Sequence, residues 1–192
     1  MAYSPKILAF AGSSRRDSFN KKLLANGVEA AQKAGADVTV VDFLDYPMPL
    51  FNQDEEAQSG LPQTVLQFKG LLRRHHGLLL ACPEYNGSIT PLLKNAIDWA
   101  SRPEPGDVPH CFQRKVAALL ATSPGALGGL RGLVHVRSIL SNLGVIVLPK
   151  QKAIPRASQA FDVNGDLVDL SQQQSVSEVA QGLVDVTGKL LS

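Results

Sequence analysis

The chain has 192 residues, a formal net charge of +2, 44% hydrophobic residues and 19% charged residues. This length favours one domain over residues 1–192 that buries its core without metals, and two cysteines are too few for a disulfide framework. The small basic excess argues against a nucleic-acid partner, and no apolar run approaches the roughly 18 residues of a membrane span. The first residues lack the layout of a signal peptide, so we expect a cytoplasmic protein that contacts neither nucleic acid nor membrane.

Short apolar runs alternate with segments of helical period along the chain. Because the runs are continuously apolar, they predict strands that are buried on both faces. The predicted strands cover 7–11, 38–41, 78–82, 116–121 and 145–148. The predicted helices cover 21–34, 62–75, 91–101, 129–142 and 175–191. Gly35, Gly77 and Gly144 each follow a helical segment, where a left-handed residue is expected.

This alternation predicts an α/β protein with a doubly wound parallel sheet and helices on both faces. Five strands favour the order 2-1-3-4-5, whose ligand crevice opens at the carboxyl ends of strands 1 and 3. This rule brings together the loops 12–20, 83–88 and 122–129, which are rich in Gly, Ser, Asn and Pro. The long exit loop of the second strand, 43–60, is expected to form a rim of the site or a subunit contact.

The loop after the first predicted strand has the composition of a phosphate-binding turn. Residues 12–20 read Gly-Ser-Ser-Arg-Arg-Asp-Ser-Phe-Asn and lead into a helix, whose first N–H groups favour an anion. The candidate donors are hydroxyls, an amide and an arginine: Ser13, Ser14, Ser18, Asn20, and Arg15 or Arg16. The spacing matches neither the nucleoside-triphosphate motif nor the dinucleotide motif, so a ligand with one terminal phosphate is favoured.

Three segments in order, GSSRRDSFN at 12–20, PEYNGSITPLLKNAIDW at 83–99 and SPGALGGLR at 123–131, resemble the NAD(P)H-dependent FMN reductase family. This family includes quinone and chromate reductases. The resemblance implies a flavodoxin-like fold, noncovalent FMN, NADPH or NADH as the hydride donor, and two-electron reduction of quinones or similar small acceptors. It also implies assembly as a homodimer or homotetramer.

The resemblance also implies cofactor-binding residues. The positions that hold the FMN phosphate are matched by Ser13, Arg15, Ser18 and Asn20, with Arg16 facing solvent. The segment along the isoalloxazine ring is matched by Pro83, Glu84, Tyr85, Asn86 and Gly87. The loop on the other edge of the ring is matched by Ser123 and by the run from Gly125 to Gly129, which includes Gly128. Pro124 departs from the pattern and removes one N–H from that loop.

Other residues have a structural interpretation. Glu84 is interpreted as a structural or partner-facing carboxylate rather than a general base. The positions Ala96, Ile97 and Trp99 have the spacing of a buried helix face. The basic run 73–76 is interpreted as the last turn of a helix. Apart from His110 beside Cys111, where adjacency alone is weak evidence, no histidine has the ligand spacing of a metal site, so no metal is predicted.

No side chain is predicted to be catalytic, because the chemistry takes place at FMN N5, with ping-pong kinetics. N–H groups of 85–87 would hold the N5/O4 edge, and the loop 123–129 would stabilise charge near N1/O2.

A one-electron carrier of flavodoxin type is the main alternative, but such carriers are usually strongly acidic, unlike this chain. A noncatalytic mononucleotide-binding module would leave the second and third loops unexplained. The acceptor and the choice of NADPH or NADH stay open, with Arg16, Arg102 and Arg131 as candidate contacts for a 2′-phosphate.

Overall fold

The apolar runs form a parallel sheet whose inner strands are buried on both faces. The computed structural model describes residues 4–104 and 110–191. In chain order the strands are β1 (Lys6–Ala11), β2 (Asp37–Val41), β3 (Gly77–Ala81), β4 (Glu84–Tyr85), β5 (Ser88–Ile89), β6 (Val116–Thr122), β7 (Ile146–Val147) and β8 (Lys152–Ile154). The strands β4 and β5 form a separate antiparallel hairpin, and the others form the main sheet.

The order of the main sheet is β2-β1-β3-β6, followed by an edge position that β7 and β8 share. All of its pairings are parallel; Ile7 of β1, for example, pairs with Val38 on one side and Gly77 on the other. This arrangement confirms the predicted doubly wound order 2-1-3-4-5. The chain changes direction between β1 and β3, so the carboxyl ends of these strands border a crevice.

The fifth predicted strand, 145–148, is wrong in its extent, because the edge is built from two short strands. β7 pairs with the start of β6 and β8 with its end, and the four residues between them stand opposite only two residues of β6. One of the four, Pro149, has no N–H for the ladder. Arg137 donates instead to the carbonyl oxygens of Val147 at 3.1 Å and Leu148 at 2.7 Å.

In chain order the helices are α1 (Phe19–Lys33), α2 (Gln53–Ser59), α3 (Gln63–Arg74), α4 (Pro91–Ala100), α5 (Leu130–Asn142), α6 (Ala157–Ala160) and α7 (Leu170–Leu191). Five of them match predicted segments. The other two lack a helical period, since α2 buries no side chain and α6 has four residues. α7 begins five residues before its predicted start because Asp169 Oδ1 accepts hydrogen bonds from the N–H groups of Ser171 and Gln172 at 2.7 and 3.0 Å.

The helices cover both faces of the sheet, as predicted. Alternate residues of β1 point to opposite faces: Phe10 packs in one core cluster with α3, α4 and α5, and Ala9 in another with α1 and α7. The predicted buried face of α4 is confirmed, since Ala96, Ile97 and Trp99 are at most 4% exposed. Among the described residues, no helix combines the length and apolar character needed to cross a membrane.

One predicted helix end is wrong. Gly35 and Gly144 have the expected positive φ, at 93° and 81°. Gly77 instead lies inside β3, where a Cβ atom would stand 2.4 Å from Ile7 Cδ1, so close packing between strands explains this glycine. Likewise, α3 ends before His75, so only the arginines of the basic run lie in its last turn.

The long loop 43–60 folds back onto α4. Asn95 Oδ1 accepts a hydrogen bond from Phe51 N–H, and its Nδ2 donates to the Pro49 carbonyl, both at 2.8 Å. Trp99 Nε1 donates to the same carbonyl at 2.7 Å. The loop therefore lies beside the helix that follows the second crevice loop, and its role as a rim or subunit contact stays a prediction.

Candidate functional site

The loop 12–20 leaves β1 and enters α1 at the carboxyl edge of the sheet. Ser18, only 4% exposed, precedes the first turn of α1, yet its hydroxyl makes no capping hydrogen bond. Within residues 4–104 and 110–191, the N–H groups of Ser14, Arg16 and Asp17 have no acceptor. The first turn of α1 also contains no acidic residue that would neutralise the positive end of the helix dipole. The loop therefore offers unused donors at a helix N-terminus, which suits an anion.

Two arginines of this loop are free to meet such an anion. Arg15 and Arg16 are exposed and have no ion-pair partner in the described part of the chain. Lys21, by contrast, forms an ion pair with Asp42, just after β2. Burial raises the pKa of Asp42, but hydrogen bonds from Lys21 Nζ and Leu44 N–H outweigh it, so the pKa lies below its ordinary value. Lys21 is therefore held by a carboxylate that is ionised at neutral pH.

The second crevice loop is a tight hairpin that the sequence analysis did not predict. Asn86 and Gly87 have φ values of 53° and 81° and connect the paired residues Tyr85 and Ser88. An Asn-Gly pair favours this kind of two-residue turn, so the signal was present in the sequence. Pro83 is buried at the base of the hairpin, while Tyr85 is 53% exposed at its tip.

The third crevice loop, 122–129, packs against the segment that follows β8. Ser123 N–H donates to the Ile154 carbonyl at 3.4 Å, and the Ser123 carbonyl accepts from Ala157 N–H at 3.0 Å. A Cβ atom on Gly128, whose φ is 62°, would stand 2.6 Å from the Ile154 carbonyl carbon. Gly125 is less crowded, and its carbonyl accepts from Gly128 N–H at 3.3 Å. Sequence reasoning missed the bracing segment, because no local pattern links it to this loop.

Side chains fasten the first loop to both of the others. Thr90 Oγ1, at the start of α4, donates to the Gly12 carbonyl at 2.8 Å, which ties the first loop to the second. Asn20 Nδ2 donates to the Thr122 carbonyl at 2.9 Å, and its Oδ1 accepts from Thr122 N–H at 3.1 Å. Asn20 therefore uses its Oδ1 and one N–H of Nδ2 to hold the third loop, and its second N–H stays free.

Glu84 fastens the second loop to the helix that follows the third. Its Oε2 accepts a hydrogen bond from Gly132 N–H at 3.0 Å, in the first turn of α5. Its Oε1 accepts from Arg131 Nε, also at 3.0 Å. Both carboxylate oxygens thus have partners, and this geometry supports a structural role for Glu84 rather than that of a general base.

Two of the three arginines considered for a 2′-phosphate are already in ion pairs. Arg102 Nε lies 2.8 Å from a Glu56 carboxylate oxygen, and Arg131 is held by Glu84. Arg16 is exposed and unpaired within the described residues. In the same part of the chain, no group of three or more His, Cys, Asp or Glu side chains is placed to hold a metal ion.

The donor set of these loops fits FMN. The Ser18 hydroxyl, Arg15 and the open N–H groups of the first loop suit its terminal phosphate. Among the described residues, the N–H groups of Asn86 and Gly87 have no acceptor either, so the hairpin turn offers donors to the polar edge of a flat ring. Gly125 leaves room beside the third loop, since a Cβ there would meet nothing closer than 3.7 Å.

A parallel doubly wound sheet with a phosphate-binding turn after its first strand defines a flavodoxin-like class of protein. The family profile described as NADPH-dependent FMN reductase matches residues 5–159. The chain belongs to this family. The predicted resemblance and its implied class, an oxidoreductase family that uses FMN and NAD(P)H, are thereby confirmed.

Individual relatives agree with this assignment. The chain is 37% identical over 179 residues to an NAD(P)H-dependent FMN reductase of Pseudomonas aeruginosa, covering 93% of this chain and 92% of that protein. It is 35% identical over 187 residues to a probable NADPH:quinone oxidoreductase of Oryza sativa subsp. japonica, covering 94% and 89%. The solved structure of FerB, a flavoenzyme NAD(P)H:(acceptor) oxidoreductase from Paracoccus denitrificans, superposes with a TM-score of 0.82 at 27% identity and covers 96% of this chain and 98% of that one.

Proposed function

We propose that this chain binds FMN in the crevice of the three loops and uses NADPH or NADH to reduce quinones by two electrons. The observation that carries the proposal is the pairwise fastening of the three loops by Thr90, Asn20 and Glu84, which leaves phosphate-type donors open in the first loop. A noncatalytic phosphate site needs only the first loop. It gives no reason for fastening the second and third loops beside it.

The proposed contacts follow from the open donors. Ser13, Ser18 and Arg15, with the remaining N–H of Asn20, hold the phosphate. Bound FMN supplies an acceptor of hydride from the nicotinamide and a donor of two electrons to the second substrate. The hairpin 83–87 would lie along the ring and would donate N–H groups to its polar edge. The loop 123–129 would lie at the opposite edge, where its free N–H groups would stabilise negative charge.

The acceptor is a small molecule of quinone type, with chromate and free flavin as further candidates. The same open site would serve the nicotinamide and then the acceptor, so we expect ping-pong kinetics. The net charge of +2 speaks against a flavodoxin-type carrier, which docks to its partners through a strongly acidic surface. Residues 1–192 act as one domain, in the cytoplasm.

We also propose assembly as a homodimer or homotetramer. Large apolar side chains beside the crevice remain exposed in the single chain. They are Leu127, Leu130 and Val134, between 43% and 59% exposed. A second copy would remove this surface from water.

The test begins with ligand binding and ends with turnover. Calorimetry with FMN, FAD and riboflavin measures how much the terminal phosphate contributes to binding affinity. FMN should bind at least tenfold more tightly than the other two. Stopped-flow mixing of the FMN-loaded protein with NADPH should bleach the flavin absorbance, and 1,4-benzoquinone should restore it. Steady-state double-reciprocal plots should be parallel.

Other outcomes would replace the proposal. A protein that ignores FMN in calorimetry has no flavin function. Protein that binds FMN but is reduced only by a separate reductase protein is an electron carrier. Light scattering that shows a monomer at micromolar concentration, with full activity, would remove the proposed assembly alone.

A further inference from the structure

Ser88 and His135 form a hydrogen-bonded pair between the hairpin and α5. Ser88 Oγ lies 2.7 Å from His135 Nδ1, which joins the hairpin to the second turn of α5. His135 is exposed, and its Nε2 has no hydrogen-bond partner among the described residues. A hydroxyl both donates and accepts, so this hydrogen bond persists whether the imidazole is neutral or protonated.

Ser88 also stands opposite the exposed Tyr85 of the hairpin. Tyr85 and Ser88 are directly opposed in the antiparallel pairing of β4 and β5. Opposed residues place their side chains on the same face of a hairpin, with Cβ atoms about 5 Å apart. The exposed Tyr85 ring and the Ser88–His135 pair therefore share one face.

Reduction of a quinone to a hydroquinone adds two electrons and two protons. A hydride carries both electrons and one of these protons, so the other proton must come from the protein or from water. Imidazole is the side chain that most readily gives and regains a proton near neutral pH. The quinone oxygen left with negative charge is the atom that needs this proton.

We propose that His135, oriented by Ser88, donates the second proton to the oxygen of a quinone bound over the Tyr85 side of the crevice. The Nε2–H bond breaks, a bond from hydrogen to the quinone oxygen forms, and the neutral imidazole regains a proton from water. Ser88 is a positioning residue in this step. The inference rests on the proposed reduction of quinones, and it adds a catalytic residue where the sequence analysis predicted none.

Few charged groups surround His135. Arg131 lies one turn earlier on α5 and is paired with Glu84 of the hairpin. Tyr85 is the remaining titratable side chain of the hairpin, and β6 and β7, which also pack against α5, carry none. The proton is therefore not diverted to an unpaired carboxylate of these elements.

The test compares two acceptors in His135→Gln, a variant that cannot donate a proton. Ferricyanide takes electrons without a proton, whereas 1,4-benzoquinone needs one. In stopped-flow reoxidation, His135→Gln should react with benzoquinone about a hundredfold more slowly at pH 6 and lose the pH dependence of that step. Its reoxidation by ferricyanide and its reduction by NADPH should stay within twofold of the parent protein.

A serine pair provides the matched control. Ser88→Ala should slow benzoquinone reduction by about three- to tenfold, because the imidazole loses one orienting hydrogen bond, and should keep the pH dependence. Ser138→Ala changes an exposed serine on the same helix and should have no effect. Equal losses with both acceptors, or no loss with benzoquinone, would overturn the proposal.

Binding gives a readout that does not depend on turnover. Resorcinol, a dihydroxybenzene that cannot form a quinone by two-electron oxidation, should shift the NMR signals of the His135 ring in the FMN-loaded protein, but not those of His76 at the far edge of the sheet. Unchanged His135 signals under saturating resorcinol would contradict the contact. A parent protein that NADPH does not reduce would instead refute the proposed function itself.

Discussion

The two edges of the sheet use polar residues in opposite ways. At the carboxyl edge, Thr90, Asn20 and Glu84 fasten loops to one another and leave other donors open. At the amino edge, buried basic side chains form hydrogen bonds with backbone carbonyl groups. Lys115, 5% exposed, donates from Nζ to the His75 carbonyl at 2.5 Å, and His75 Nδ1 lies 2.7 Å from the Leu71 carbonyl.

The amino edge carries a cost that the carboxyl edge does not. Burial lowers the pKa of Lys115 to about 8 and also lowers the pKa values of His75 and His76. Desolvation penalises the charged forms of these groups in the folded state, so their charge opposes folding. Polar groups at the amino edge only connect parts of the framework. At the carboxyl edge they connect the loops and also leave donors open for a ligand.

The largest expected effect tests the bracing of the third loop. Gly128→Ala should lower the free energy of unfolding by about 3 kcal/mol or more, because φ is 62° there and the new Cβ meets the backbone of Ile154. Gly125→Ala is the control in the same loop, with nothing within 3.7 Å, and should cost less than about 1 kcal/mol. Urea unfolding measures both, and similar losses would show that the loop is not held in this way.

The next effect tests the cost at the amino edge. The pKa of Lys115 is about 8 in the folded protein and 10.5 in the ordinary case, so between these pH values the unfolded chain binds more protons. Stability should therefore rise with pH through this window, by about 3 kcal/mol from this group. Urea unfolding of the parent and of Lys115→Met at pH 7, 8.5 and 10 isolates the contribution of Lys115 to the pH dependence of stability. A difference between the two proteins that does not change with pH would contradict the prediction.

A smaller effect tests the open donors of the carboxyl edge. Arg15→Ala removes a charge-assisted contact of roughly 1.5–3 kcal/mol, so the affinity for FMN should fall by about ten- to a hundredfold. Riboflavin affinity should not change, since riboflavin has no phosphate. Arg16→Ala is the matched control and should matter less; equal losses would show that both arginines contact phosphate.

The smallest effect separates fastening from chemistry. Glu84→Gln keeps an acceptor for Gly132 N–H but loses the charge that pairs with Arg131. The rate of flavin reduction by NADPH should fall less than about tenfold, whereas loss of a general acid or base costs about a hundredfold or more. Stopped-flow absorbance decides between them, and a hundredfold loss would make Glu84 a catalytic group.

Several features of the site were within reach of the sequence. The phosphate-binding turn at 12–20 combines hydroxyls, arginines and a helix start in one local segment, and the three family motifs occur in order. The hairpin at Asn86 and Gly87 was missed, although its turn chemistry is local. The edge position was mispredicted because two short strands share it, and Arg137 on the preceding helix donates to the segment between them.

The sequence by itself determined the α/β class, the strand order, the helices on both faces and the family, because these follow from apolar periodicity and short motifs. Only the tertiary structure decided what the polar side chains do. Asn20 bonds to Thr122 across 102 residues, and Glu84 to Gly132 across 48. Ser88 meets His135 across 47. The partner of a polar side chain depends on distance and direction in the folded chain. The local sequence pattern does not specify either quantity.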